Sequence, residues 1–280
     1  MEIPFIKIQN AGNDYVYIEK KSISHLKTNV PSFARHISDR NGGVGSDGLI
    51  VLEALSKDSA FMRIYNSDGS EAELCGNGLR GVALFLKRAL KSRARKFTVS
   101  TRWNDYRVEV VNLSGDAAVI QVSLDGPLFD ARAIGYLKNE SICMGVPISI
   151  GERRRDLYCV AMPNPFAIIF VDNFDFDWQK EGWAIENSPM FKNRINVMFT
   201  RIDSRRRLTV MSWERGSGAT LACGSGAAAA VAVSGLLGYT SGKVSVIMPG
   251  GTLKTSWNIE ENEIYQEGPS RIVFAGSYRV

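Results

Sequence analysis

Apolar and polar residues alternate along much of this chain with the two-residue period of half-buried strands. Runs of β-branched and aromatic residues predict strands over Ile3–Ile8, Phe61–Tyr65, Tyr106–Val111, Ala117–Leu124, Leu157–Met162, Ile195–Thr200, Leu208–Trp213 and Lys243–Met248. Helical spacing is confined to three segments. Pro31–Ser38 opens with proline at a permissible first-turn position, and Asn41-Gly42-Gly43 follows soon after its end. Leu79, Val82, Ala83, Leu86 and Leu90 recur at three and four residues and form one apolar helical face. Ala227–Leu237 is rich in alanine, with Gly238 placed to stop it. Many strands with few isolated helices predict an α+β fold rather than a regular βαβ repeat.

The two clearest helices share an entrance. One begins Leu74-Cys75-Gly76-Asn77-Gly78, the other Ala222-Cys223-Gly224-Ser225-Gly226, with the cysteines 148 residues apart in a chain of 280. A strand-like run ends about ten residues before each cysteine, at Tyr65 and at Trp213. A duplicated half-molecule accounts for this recurrence. It predicts two similar mixed α/β domains, each a many-stranded sheet around a helix that starts with a Cys-Gly-x-Gly turn.

Composition narrows the class. The chain is 45% apolar and 22% charged, a globular balance rather than a disordered one. Its longest apolar run, Ala227–Val233, is too short to cross a bilayer, so no membrane association is expected. Met1-Glu2-Ile3-Pro4 lacks a basic region followed by an apolar core, so no secretion signal is expected either. Four cysteines in this length do not make a disulfide scaffold, and a cytoplasmic setting is expected. The net charge of +5 suits an anionic ligand but is too small to imply nucleic acid. The basic cluster Lys87, Arg88, Lys91, Arg93, Arg95 and Lys96 reads as a solvated helix end, where cations favour the dipole. No interleaved aromatic residues turn it into a nucleic-acid platform.

Chemistry centres on the two turns. A helix N-terminus offers unpaired N–H groups and the positive end of the dipole, which stabilise a cysteine thiolate and lower its pKa. The adjoining glycines let a substrate approach the backbone, whose N–H groups can hold a carboxylate or a developing oxyanion. Cys143 and Cys159 lack that setting and are expected to pack as small apolar groups. There is no Cys-x-x-Cys redox motif, and His25 and His36 lie far in sequence from either turn, so no metal site is expected. Gly76-Asn77-Gly78-Leu79-Arg80-Gly81 satisfies G-x-G-x-x-G but has no acidic residue about twenty positions on for a ribose. Gly43-Val44-Gly45-Ser46-Asp47-Gly48 satisfies it in the wrong order, after a helix and before a strand. Two acid/base thiols, one from each domain, suit inversion of an amino-acid α-carbon. One thiolate removes the α-proton, the other thiol delivers a proton to the opposite face, and no cofactor is needed.

With these residues in view, the chain resembles the diaminopimelate epimerases, cofactor-independent enzymes of two pseudo-symmetric α/β domains. The resemblance runs from Lys7-Ile8-Gln9-Asn10-Ala11-Gly12-Asn13-Asp14 to Gln266-Glu267-Gly268-Pro269. Its most specific blocks are Tyr65-Asn66-Ser67-Asp68-Gly69-Ser70-Glu71-Ala72-Glu73-Leu74-Cys75-Gly76-Asn77-Gly78 and Trp213-Glu214-Arg215-Gly216-Ser217-Gly218-Ala219-Thr220-Leu221-Ala222-Cys223-Gly224-Ser225-Gly226. It implies that Cys75 and Cys223 are the acid/base thiols. The backbone at Gly76, Asn77, Gly224 and Ser225 would bind the reacting carboxylate. Asn13, Asn66, Asn164, Asn196, Glu214 and Arg215 would recognise the rest of the substrate. It also implies an N-terminal half of residues 1–122 plus 269–280, a C-terminal half of 123–268, a cleft between them and a homodimer. Two thiols flanking one carbon would further make the enzyme sensitive to oxidants when the site is empty.

The chain departs from the family at one place. Where the family usually reads Gly-Asn-Pro-His after a methionine, this sequence reads Met162-Pro163-Asn164-Pro165-Phe166. Phe166 cannot donate, accept or titrate, and Pro163 removes an N–H and fixes φ. Either Glu214 and the helix dipoles tune the thiols without a histidine, or the site takes a less polar amino acid. The expected activity is therefore conversion of LL- to meso-diaminopimelate. Its alternatives are a two-cysteine racemase of another amino acid, an inactive amino-acid-binding relative, and a nucleotide-dependent oxidoreductase.

Overall fold

A computed structural model of the chain describes residues 2–26, 28–72, 74–138 and 140–280. It divides into two compact units, Met1–Ser123 with Glu267–Val280, and Leu124–Gln266. Within the first unit the order is β1 (Glu2–Asn10), β2 (Asn13–Glu19), α1 (Val30–Ser38), β3 (Gly48–Ala54), β4 (Ser59–Asn66), β5 (Glu71–Ala72), α2 (Gly76–Ala89), β6 (Lys96–Ser100), β7 (Asp105–Ser114) and β8 (Ala117–Asp125). The second unit contains β9 (Met144–Ile150), β10 (Arg153–Met162), β11 (Asn164–Phe170), α3 (Trp178–Glu186), β12 (Asn196–Ser204), β13 (Arg207–Glu214), β14 (Gly218–Thr220), α4 (Gly224–Leu236), β15 (Val244–Met248) and β16 (Gly251–Asn258). β17 (Glu263–Arg279) starts in the second unit, and its later residues pair with β1 from Gln9↔Arg271 to Glu2↔Arg279.

The duplication read from the two cysteine turns extends to the strand ladders. β1 pairs antiparallel with β2, as β10 does with β11. β2 and β3 run parallel across α1, as β11 and β12 do across α3. The antiparallel pairs β3–β4 and β4–β5 recur as β12–β13 and β13–β14. After α2 the chain returns parallel to β4 as β6, and after α4 it returns parallel to β13 as β15. Each cysteine helix is thus the crossover between two parallel strands of its own unit, which requires it to lie on the sheet.

Burial shows why these segments form these elements. β1 and β8 alternate exposed and buried residues along most of their length, the mark of one wet face. α2 is buried from Asn77 through Leu86, all round rather than along the single face its leucines suggest. Gly78, Gly81 and Ala83 are small enough to let strands approach its other sides. α4 is buried from Gly224 through Ser234 except at Ser225, and it begins three residues before the predicted Ala227, at the glycine after the cysteine. Its alanines match that enclosed position.

α3 has no counterpart in the sequence reading. Two of its buried residues are Glu181 and Glu186, so its inward face does not look apolar. Both carboxylates are compensated, Glu181 by Arg153 and Arg155 and Glu186 by Arg194. The basic cluster behaves as a helix end: Lys87 and Arg88 occupy the last turn of α2, and Arg95 donates to the Val110 and Val111 carbonyls.

Candidate active site

The first unit presents a half-site built on the entrance of α2. Cys75 is the N-cap, with extended backbone, and its sulfur accepts from the Gly78 N–H at 3.3 Å. The same sulfur receives the Tyr15 hydroxyl at 3.4 Å and lies 3.6 Å from Asn13 Oδ1, towards which its own S–H is directed. A Cβ at Gly78 would lie 2.8 Å from Ile50 Cδ1, so the tip of that side chain would have to move to admit one. Asn13 does not sit in a turn as its neighbours suggest. Ala11 and Gly12 take the positive φ values, 53° and 84°, and Asn13 opens β2.

Asn13 is held from two sides. Its Nδ2 donates to Asp47 Oδ2 at 2.6 Å, and its Oδ1 accepts from Asn77 Nδ2 at 3.3 Å. Asp47 in turn takes the Arg40 guanidinium at 2.8 Å. Behind Asn77 stands Arg80, fully buried and donating to Asn77 Oδ1. Burial pulls the Arg80 guanidinium down to about 10, and the charges of Cys75 and Tyr17 work to raise it. Its field therefore reaches the thiol. Asn66 closes the turn after β4, donating through Nδ2 to Ser70 Oγ at 3.0 Å, and Gly76 is half-buried at the first helical position.

The second unit repeats the arrangement with different electrostatics. Cys223 is the N-cap of α4 and is 5% exposed. Its S–H donates to Glu214 Oε2 at 3.2 Å, while Thr220 donates to Glu214 Oε1 at 2.6 Å. Ser225 Oγ lies 3.7 Å from the sulfur. Burial pushes the Cys223 thiol well up from its ordinary value, and the Glu214 charge adds to that; the Gly226 N–H and Ser225 oppose it. This corrects the sequence expectation that both helix entrances lower their thiols. At Cys223 desolvation and a neighbouring carboxylate outweigh the dipole. Replacing Glu214 by glutamine should let the Cys223 thiolate form at lower pH. Titrating the ultraviolet thiolate absorbance in a Cys75→Ala background measures this, and an unchanged midpoint would contradict it.

The remaining expected residues are placed unequally. Asn196 opens β12 with its carboxamide committed to backbone, donating to the Pro165 carbonyl at 2.8 Å and accepting from the Arg215 N–H at 2.9 Å. Arg215 donates from Nη1 to the Asn193 carbonyl at 2.9 Å. Asn164 is exposed at the start of β11, opposite Met162 across Pro163, so it is a strand residue rather than a loop one. Phe166, 1% exposed, lies in β11 beside Asn196 in the β12 register. The Gly224 carbonyl accepts from the buried Gln266 at 2.8 Å.

Sequence reasoning passed over Tyr15, Asp47, Arg80 and Glu186. Glu186 accepts from Trp213 Nε1 at 2.7 Å and from the Gly216 N–H at 2.9 Å, so it fixes the segment that carries Glu214 and Arg215. Only Arg80 left a signal, a guanidinium one residue from Leu79 and Gly81 inside an apolar helix pattern. No disulfide joins any of the four cysteines. The buried Cys143 and Cys159 lie 3.1 Å apart at sulfur, and burial raises Cys159 well above its ordinary value. Among the described residues, no three His, Cys, Asp or Glu side chains converge as a metal ion requires, and no helix is long and apolar enough to cross a membrane.

Comparison with known proteins finds relatives along nearly the whole chain. The profile of the diaminopimelate epimerase family matches residues 5–125 and 158–273. A diaminopimelate epimerase of Carboxydothermus hydrogenoformans is 36% identical over 276 residues, covering 98% of each chain. Among solved structures, a phenazine biosynthesis protein of the PhzF family from Bacillus anthracis superposes with a TM-score of 0.70 at 13% identity, over 100% of each chain. A hydroxyproline epimerase from Agrobacterium vitis gives 0.68 at 11% identity, over 99% of this chain and 91% of its own. These last two likenesses concern the fold.

Proposed function

The chain belongs to the diaminopimelate epimerase family, and we propose that it inverts one α-carbon of LL-diaminopimelate to give the meso isomer, with Cys75 and Cys223 as the two acid/base thiols. The observation that carries this reading is the pair of cysteines at equivalent helix entrances, each the N-cap residue of its helix but with different partners at sulfur. Donors converge on the Cys75 sulfur, and hydrogen bonds to a thiolate favour it. Cys223 is held protonated by burial and Glu214. In the LL-to-meso direction Cys75 then removes the α-proton and Cys223 supplies one to the other face. Afterwards Cys75 is the thiol and Cys223 the thiolate, so the reverse reaction needs no further step.

The α-proton of an amino acid is very weakly acidic, so the carbanion needs fixed positive dipoles at its carboxylate. The N–H groups at Gly76, Asn77, Gly224 and Ser225 belong to two helix N-termini and supply them. Asn13, Asn66, Asn164, Asn196, Glu214 and Arg215 complete the site. For Asn196 and Arg215 this role operates partly through the segments they pin, since their polar groups already hold backbone. The reaction belongs to lysine and peptidoglycan precursor synthesis, in the cytoplasm, carried out by a homodimer without cofactor.

Phe166 favours a second reading, racemisation of a less polar amino acid by the same thiols, because its buried ring leaves no titratable group at that strand position. The two are separated by incubating reduced enzyme with LL-diaminopimelate and, separately, with the common L-amino acids, then resolving products by chiral chromatography. Conversion of LL- to meso-diaminopimelate is the expected result. Inversion of another amino acid with diaminopimelate untouched would overturn the substrate and keep the mechanism.

A further inference from the structure

We propose that Tyr15 is a catalytic residue, whose hydroxyl donates a hydrogen bond to the Cys75 sulfur and holds it as the thiolate that accepts the α-proton. The inference rests on the reading of Cys75 as the base. Three observations support it. The hydroxyl lies 3.4 Å from Sγ, within hydrogen-bond reach for sulfur. Tyr15 is buried in β2, fixed in register opposite Ile8 and Gly48, so the hydroxyl is aimed by the sheet rather than by a mobile side chain. It also approaches the sulfur from the strand, while the Gly78 N–H approaches from the helix, so the two donors do not compete.

Tyr15 is suited to give a hydrogen bond without giving up its proton. Burial, and after it the Cys75 charge, push its phenol well above the ordinary value, so it stays protonated throughout the working pH range. Among the described residues, ionisable groups that bear on this cluster include Tyr17 on the same strand, likewise raised by burial; Asp47 before β3, whose charge bears on Tyr15; and Arg80 on α2. Tyr17 spends its hydroxyl on the Gly78 carbonyl at 3.0 Å, which supports the capping turn rather than the sulfur. When Cys75 takes the α-proton the Tyr15 bond weakens, and it reforms when the proton leaves. It therefore favours thiolate over thiol and acts on proton abstraction.

Tyr15→Phe removes only the hydroxyl and keeps the ring that packs beside Gly48. The variant is expected to move the acid limb of the kcat/KM profile for diaminopimelate upward by roughly one pH unit and to lower kcat/KM at neutral pH about tenfold. The pH midpoint for alkylation of Cys75 by iodoacetamide, read on its peptide by mass spectrometry, should move up in parallel. A purely structural role would lower the unfolding midpoint and leave both pH midpoints in place. That outcome, with Cys75→Ala inactive, overturns the role of Tyr15 and leaves Cys75 as the base. Inversion that survives in Cys75→Ala would instead overturn the base assignment, and the inference with it.

Discussion

Replacing either Cys75 or Cys223 with alanine is expected to lower kcat/KM for diaminopimelate inversion by roughly 10²–10⁴-fold, the range that a positioned acid or base supplies. Neither change should disturb the fold. Each cysteine is the N-cap residue of its helix, and alanine removes only the sulfur, with the one cap hydrogen bond that Cys75 accepts from the Gly78 N–H. The two variants should differ in what survives. With Cys223 gone, Cys75 can still remove and return the α-proton on one face of the LL isomer. Solvent exchange at that carbon then persists while inversion stops. With Cys75 gone, the LL isomer should neither exchange nor invert. Nuclear magnetic resonance in deuterated water reads both. Equal loss of exchange in the two variants would contradict the assignment of Cys75 to the LL face.

The second large effect concerns the fold that aims Cys75. Gly81→Ala is expected to destabilise the protein by about 1–3 kcal/mol, the usual cost of overpacking a filled core. A Cβ at Gly81 would overlap the Tyr17 hydroxyl and the ring carbon that bears it, and Tyr17 is fully buried. Relief requires α2 and β2 to separate. Tyr17 holds the Gly78 carbonyl, so that separation also loosens the turn around Cys75. Gly235→Ala makes the comparison, because open space surrounds its Cβ position and it sits near the end of α4. Urea unfolding of the two variants should show a lower midpoint for Gly81→Ala alone. Equal midpoints would mean that the close packing at Gly81 contributes nothing.

Much of this was legible in the sequence, for identifiable reasons. The Cys-Gly-x-Gly turns and the strand runs ending at Tyr65 and Trp213 are local signals, and they announced both cysteine helices and the duplicated topology. α3 was not legible, because its inward residues include glutamates whose compensating arginines lie outside the helix. β17 was not legible as one strand, since Gly268, Pro269 and Gly276 interrupt the run over Glu263–Arg279. At the candidate site, residue types were legible but their states were not. Nothing in Ala222-Cys223-Gly224 shows that the thiol is buried against Glu214, and the helix-entrance argument alone gave the wrong direction for its acidity. Tyr15 and Asp47 were silent because they reach Cys75 and Asn13 from other elements. Chain pattern encodes which helix starts where, whereas a titration depends on side chains brought together by the sheet.

The most direct measurement follows deuterium at the α-carbons while LL-diaminopimelate reacts in deuterated water, at conversions low enough that product does not return. Two thiols on opposite faces predict deuterium at the inverted carbon of the meso product before any accumulates in the remaining LL isomer. The proton delivered comes from Cys223 after exchange with solvent, while the one removed stays on Cys75. Deuterium entering the unconverted LL isomer as fast as it enters product would show one group serving both faces, and would contradict the two-thiol account.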